Sequence, residues 1–306
     1  MTRHLGRTGF TIVELLTTIG IIAALTAILI PAVNAARSSA RKTGCANNMR
    51  QIGLAITGYE SARSEFPVGQ TWVSRRPEDA FPYAWSMLIL SFLEQQQVAD
   101  QFDKTKTFLE PSNLTAASTA LSTYICPATT QREEHRNSSE QLYNVEGPGN
   151  GLACIDYLGI AGPSPDSLNP GSGDLYGSQR GVLIGTKGLK NGEKIKTPKA
   201  VRASGITDGL SQTACVTECT GRGLDGDGDF NGTWVSGRNV GHIAKTINGT
   251  KASESWQKER IFSEHSHGAH FLMCDGSLQF LPVDTSRQVL KAIASRNGEE
   301  RIEVPF

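Results

Sequence analysis

A chain of 306 residues with 30 basic and 30 acidic side chains has no formal net charge, and no long Lys/Arg run disturbs that balance. Nothing in this balance implies a nucleic-acid partner, and the length leaves room for one anchored domain of about 240 residues or two smaller lobes. The 32 glycines and 13 prolines are a loop-rich count, so the chain beyond its first segment is expected to be strands joined by turns rather than a helical bundle.

After a short basic leader, MTRHLGRTG, comes GFTIVELLTTIGIIAALTAILIP, apolar from Ile12 to Ile30 except for Glu14 and a few Thr and Gly. A helix rising about 1.5 Å per residue covers roughly 28 Å over that run, enough to cross a bilayer's hydrocarbon core. A secretory signal peptide would have a shorter apolar run without an acid, followed by a small-residue cleavage site. Here the sequence continues as IPAVNAARSSARKTGCANNMRQIGLAITGYE, with apolar residues at Ala32, Ala35, Ala36, Ala40, Met49, Ile52, Ala55, Ile56 and Tyr59. Spacings of three and four predict that the helix runs on into water as an amphipathic stem. The basic residues between 37 and 42 read as a solvated face of that stem.

Glu14 is the anomaly, because a carboxylate in an apolar span is costly unless something pairs with it. A cut between Gly9 and Phe10 would put a new α-ammonium about one helical turn from that carboxylate. This arrangement, with GFTIVELL around it, resembles the prepilin-type cleavage and methylation motif of type IV pilins and type II secretion pseudopilins. The resemblance implies that a prepilin peptidase removes Met1 to Gly9 and that Phe10 is N-methylated. It also implies that Glu14 meets the N-terminus of a neighbouring subunit during assembly, and that Pro31 is where the helix bends or locally melts.

Past the stem, residues 61 to 79 are polar and turn-like, with Trp72 and Val73 as a short strand. PYAWSMLILSFLEQQQVADQFD, 82 to 103, predicts a second helix on the spacing of Trp85, Leu88, Ile89, Phe92, Leu93 and Phe102. Tyr124 and Ile125 begin a short strand that Pro127 stops, and 133 to 150 is a loop. LACIDYLGIAG and RGVLIG predict two strands around a surface segment, GPSPDSLNPGSGD. A Lys-rich turn follows, then a buried strand with Ala214 and Val216 on one side, and a strand from Thr233 to Val235. FLMCDGSLQFLPV predicts a β-hairpin with Asp275 and Gly276 as a type I′ turn pair.

Three groups of residues invite chemistry. The six cysteines, Cys45, Cys126, Cys154, Cys215, Cys219 and Cys274, allow up to three disulfides in an exported domain, with 15 complete pairings and nothing in the spacing to choose among them. On one strand Cys215 and Cys219 would stand about 13 Å apart, too far to bridge. Asp225, Asp227 and Asp229 in GLDGDGDFNG alternate with glycines and are the candidate calcium ligands, since Ca²⁺ takes six to eight oxygens. The loop lacks the Glu at the twelfth position of an EF-hand, and its other reading is an acidic turn. His265, His267 and His270, with Asp275, are the candidate zinc or iron ligands; if 265 to 267 is strand, His265 and His267 share a face.

The chain as a whole resembles the planctomycete DUF1559 family of prepilin-like proteins, whose C-terminal mark is a His, nine residues, then Asp-Gly. Here it reads His265, SHGAHFLMC, Asp275, Gly276. Further matches are the stretch after the span, SMLILSFLEQQ, YICP and ITDGLSQTACVTE; Ser266, His267 and Gly268 stand where the family has Pro-Gly-Gly. The resemblance implies an α+β, pilin-like fold: a leader at 1–9, a transmembrane and stem helix at 10–60, and an exported domain at 61–306 built on a mostly antiparallel β-sheet with long loops. It implies a structural, non-enzymatic subunit of a pilus-like or pseudopilus-like filament. Its partners are a prepilin peptidase, the inner membrane and like subunits. The alternative is a membrane-anchored module that binds glycan or protein outside the cytoplasm without polymerising.

Overall fold

The computed structural model describes residues 11–71, 83–130, 152–177, 180–184, 200–221, 232–249 and 261–300. Its longest element is α1, Ile12–Arg63, a single 52-residue helix that passes through Pro31 without leaving the α conformation. Thr11 starts it with a capping box: its hydroxyl accepts from the Glu14 N–H, and the Glu14 carboxylate accepts from the Thr11 N–H at 2.9 Å. Ser64, in the left-handed region at φ 58°, ends it.

The helix has two halves. From Ile12 to Ala40 every residue is exposed, including Ile21, Leu25, Ile28 and the alanines expected to begin the amphipathic face. This half is apolar enough, and long enough, to cross a membrane. Docking begins at Cys45, after which Met49, Ile52 and Ile56 form a fully buried stripe at helical spacing. Gly53 lets the helix approach closely, since a Cβ there would stand 2.7 Å from Leu272 Cδ1. Lys42, expected in solvent, instead lays its ammonium 3.2 Å from the centre of the Phe280 ring.

The stem packs on a five-stranded mixed sheet. Its strands are β3 (Tyr157–Pro163), β4 (Ala214–Glu218), β5 (Val240–Ile243), β6 (Gly268–Met273) and β7 (Leu278–Pro282), in the order β5-β3-β4-β6-β7. All neighbours are antiparallel except β3 and β5. Two short strands, β1 (Gln70–Thr71) and β2 (Tyr83–Ala84), pair separately. Met49, Ile52, Val216 and Leu272 share the core on the stem side, while Ala269, Phe271 and Met273 meet Leu290 and Ile293 of a C-terminal helix, α5 (Arg287–Ala294), on the other. With both faces covered, β3, β4 and β6 are buried along their whole length.

Several expectations are corrected. The segment 82 to 103 is a broken chain: β2, a single turn α2 (Trp85–Leu88), a 3-10 turn Leu90–Leu93, and α3 (Gln96–Asp100), with Glu94 in the left-handed region at φ 60°. Buried polar tethers draw it off a straight axis: the Trp85 indole donates to the Asn239 carbonyl at 2.9 Å and the Ser86 hydroxyl donates to that of Trp234. A helix α4 (Pro111–Ala117) follows. Tyr124 closes a 3-10 turn rather than opening a strand. Residues 180–184 run beside β3 through two backbone hydrogen bonds, from Gly181 to Ala161 and from Leu183 to Ile160, without forming a strand. Residues 233–235 form no strand; Thr233 makes an isolated bridge to Cys154.

The β6 to β7 hairpin is present, but its turn differs from type I′. Gly276 has φ +84° and Asp275 is not in the positive-φ region, while the Met273 carbonyl accepts from Gly276 and the Met273 N–H donates to Ser277. This is a three-residue loop with glycine at the left-handed position. The segments holding Trp72, Val73 and residues 133–150 lie outside the described residues.

Candidate functional site

The site grows from the end of β4. Antiparallel pairing sets Val216 opposite Leu272 and Thr217 opposite Phe271, which brings Glu218 to His270 on the stem side of the sheet. Glu218 is fully buried, and such a carboxylate is tolerated only when its lone pairs are satisfied. Four donors do this. His270 Nδ1 lies 2.8 Å and His265 Nε2 3.2 Å from Oε1, while the Ser263 hydroxyl donates to Oε2 at 2.8 Å and the His270 backbone N–H at 3.0 Å. Burial pushes the Glu218 carboxyl up, but hydrogen bonds and electrostatic attraction from the two histidines outweigh it and bring it down to about 2. Since an ionised carboxylate only accepts, both facing ring nitrogens carry hydrogen.

Further partners fix this cluster in place. Asn248 holds Ser263 at both backbone groups, at 2.8 Å each, and Ser263 Oγ accepts from the His265 N–H. Phe280 stacks edge-on against His270 with centroids 4.9 Å apart, under the Lys42 ammonium. Glu264 reaches the other way and accepts from the Thr130 N–H at 2.7 Å, binding this segment to the chain that follows Cys126.

Beside the cluster lies the one disulfide found among the described residues, Cys45 to Cys126, with Cα atoms 5.0 Å apart. It fastens the start of the docked stem to the YICP segment. That segment is held from below by the buried Asp156, whose carboxylate accepts from the Cys126 N–H at 2.9 Å and the Gly221 N–H at 3.0 Å. Asn48, one turn along the stem, donates to the Ile125 carbonyl at 2.9 Å. His265 Nε2 comes within 4.0 Å of Cys126 Sγ, so disulfide, imidazole and carboxylate are contiguous.

The donor atoms of Cys45, Cys126, Glu218 and His265 all lie within 4.8 Å of one another. While the sulfurs are bonded to each other they offer no thiolate, and the set is a sealed polar junction. Soft sulfur and nitrogen donors do not suit calcium.

The residues singled out from sequence are distributed unevenly. His265 and His270 come together, whereas His267 is exposed with Nδ1 2.5 Å from Ser266 Oγ, because 265 to 267 precede β6 and are not strand. Asp275 is exposed and accepts from the Ser277 N–H in the hairpin turn; with Gly276 it shapes the turn and does not join the histidines. Glu14 and Pro31 lie in the exposed half of α1. Gly9, Phe10, Asp225, Asp227 and Asp229 lie outside the described residues. Glu218, Ser263 and Asp156 were missed; the only sequence signal was an acid at the end of the buried strand ACVTE.

A family model described as "Protein of unknown function (DUF1559)" matches residues 34–287, from the stem to the start of α5. No curated protein and no solved structure matches the chain.

Proposed function

The chain belongs to the DUF1559 family, and from that premise we propose that it is a pilin-like structural subunit, inserted in the inner membrane by its apolar helix and assembled through it into a filament or pseudopilus with the sheet domain outward. A prepilin peptidase cuts between Gly9 and Phe10, Phe10 is methylated, and the role is non-catalytic. The observation that carries this reading is the division of α1: one continuous helix has an apolar half exposed on every side and a half docked into the domain. An anchor alone needs no rigid continuity between the two. A subunit that must hold its domain at a fixed place on a packed bundle of helices does.

Glu14 supports the same reading. Within the subunit its carboxylate turns back on the Thr11 N–H and hydroxyl, at 2.9 and 2.8 Å. That pairing is local and exchangeable, so the same carboxylate is available to the Phe10 α-ammonium of a neighbour, with which a buried charge pair forms. Glu14→Gln separates the two roles, because Gln at the third helical position also completes a capping box. The variant is expected to be inserted and cleaved but absent from sheared or assembled fractions. Normal assembly of Glu14→Gln would remove the charge-pairing argument, and absence of the unsubstituted protein from assembled fractions would favour the tethered binding module. Intact-mass analysis of protein from its native envelope should show loss of Met1 to Gly9 and one added methyl group; a mature species starting at Met1 or Thr2 would sink the processing reading.

A further inference from the structure

We propose that Cys45, Cys126, His265 and Glu218 form a binding site for a thiophilic divalent cation, zinc foremost, that opens when the disulfide is reduced. The argument does not depend on filament assembly.

Reduction converts two bonded sulfurs into two thiols at a place already supplied with an imidazole and a carboxylate. All four side chains are buried, and their donor atoms lie within 4.8 Å of one another. Zinc takes sulfur at about 2.3 Å and nitrogen or oxygen at about 2.0 Å in a tetrahedron, whose edges are therefore about 3 to 4 Å. The cluster matches that size once the sulfurs rotate apart. Two thiolates, one imidazole and one carboxylate are a donor set for zinc and a poor one for calcium or magnesium.

The surroundings are also suited to a metal. A ligating carboxylate is normally held by outer hydrogen bonds, and Glu218 has them: Ser263 Oγ at 2.8 Å and the His270 N–H at 3.0 Å both fall on Oε2, and His270 Nδ1 at 2.8 Å holds one side of Oε1, whose other side turns from His265 to the ion. His265 is held by its own backbone N–H on Ser263 Oγ at 3.2 Å. The ion would take the place of the hydrogen that His265 Nε2 now presents to Oε1.

The steps balance. A phosphine and one water reduce the disulfide to two thiols, the phosphine leaving as its oxide. The cation then displaces the two thiol protons, which pass to solvent, and the hydrogen on His265 moves by solvent exchange from Nε2 to Nδ1, so that the neutral ring turns the Nε2 lone pair to the metal. In a newly made chain the thiols are reduced from the start, so the ion-bound form precedes oxidation. Cys45 comes from the stem and the other three ligands from the domain, so the ion bridges the same two parts that the disulfide bridges.

The test uses the full chain in detergent, reduced with a phosphine without oxygen and titrated with Co²⁺ and then Zn²⁺. One cobalt per chain should bind with thiolate-to-cobalt charge-transfer absorption, zinc should displace it, and the oxidised chain should show neither effect. His265→Gln should weaken binding at least about tenfold, and Cys45→Ser with Cys126→Ser should abolish it. In case a variant fails to fold, alkylation of the reduced unmutated chain mapped by mass spectrometry decides the matter: zinc should protect Cys45 and Cys126. Absence of the charge-transfer band, its persistence in the double serine variant, or protection falling instead on Cys154, Cys215, Cys219 or Cys274 would overturn the proposal.

Discussion

The two halves of α1 are one helix with two chemistries. Between Ile12 and Ile30 apolar side chains surround the axis, and none is buried against the domain; between Cys45 and Ile56 the side chains of Met49, Ile52, Ala55 and Ile56 form one buried stripe, with Leu54 the apolar residue left outside it. The first half is built for an apolar solvent, where no face differs from another. The second is built for a single protein surface, and its selectivity shows in Leu54, which is 73% exposed two residues past the fully buried Ile52. Hydrophobicity alone thus does not say what a helix packs against, while its distribution round the axis does.

The contrast is easiest to break at the crosslink. Closing a loop across a sequence separation of 81 residues, the disulfide should stabilise the domain by about 4 to 5 kcal/mol on chain-entropy grounds. Cys45→Ala with Cys126→Ala, unfolded in denaturant with a chelator present, should lose most of that; a midpoint within experimental error of the parent would show that packing alone seats the stem. Next comes the stripe. Ile52→Ala should cost about 2 to 5 kcal/mol of domain stability, whereas Leu25→Ala in the span should change it by less than about 0.5 kcal/mol. Equal effects of the two on the same denaturation curve would erase the distinction between the halves.

Acid sharpens the comparison from the site side. Glu218 titrates at about 2 in the fold against an ordinary value of 4.5. Its depressed value means that its contribution, up to roughly 3 kcal/mol, is fully present above pH 4.5 and disappears as pH falls toward 2. Glu218→Gln should flatten the oxidised domain's stability profile in that window; an unchanged slope would place the acid sensitivity elsewhere. Within the docked half of the helix the smallest effect is expected from Gly53→Ala. Its added methyl meets Leu272, and displacing that packed side chain should cost about 1 to 3 kcal/mol in the same denaturation assay. A stabilised variant would mean that the stem has slack at its closest approach.

The long helix, the buried strand at Ala214–Glu218 and the β6 to β7 hairpin could be read from the sequence because their patterns are local, although a register shift between Ala214 and Val216 sends these two to opposite cores rather than to one side. A continuous apolar run, a 3.6-residue stripe and an Asp-Gly between apolar runs each carry their signal within a few turns. The region from Tyr83 to Asp100 misled because Trp85, Ile89 and Phe92 keep helical spacing while the chain is redirected by side-chain bonds to Asn239 and Trp234, residues about 150 positions away. The helix α5 went unread, although Val289, Leu290 and Ile293 have the spacing that would have revealed it. Glu218 could not be joined to His265 and His270 without the register of β4 on β6, since a one-residue slip would turn it to the other face. Nor could Cys45 be assigned to Cys126 from their spacing.

The position of the crosslink settles how tension would travel. A pull along the membrane half of α1 reaches Cys45 before it reaches Met49, Ile52 or Ile56, and there it divides. One path continues through the helix; the other passes through a covalent bond into Cys126, whose N–H is tied to Asp156 next to β3. The docked stripe is therefore spared from peeling residue by residue from its membrane end, the way an adhesive strip fails. The domain instead receives the force through the Cys126 segment, whose hydrogen bonds to Asp156 and Asn48 stand between it and the rest of the fold, and the stem stays covalently joined to that segment even when the stripe is pulled from its seat.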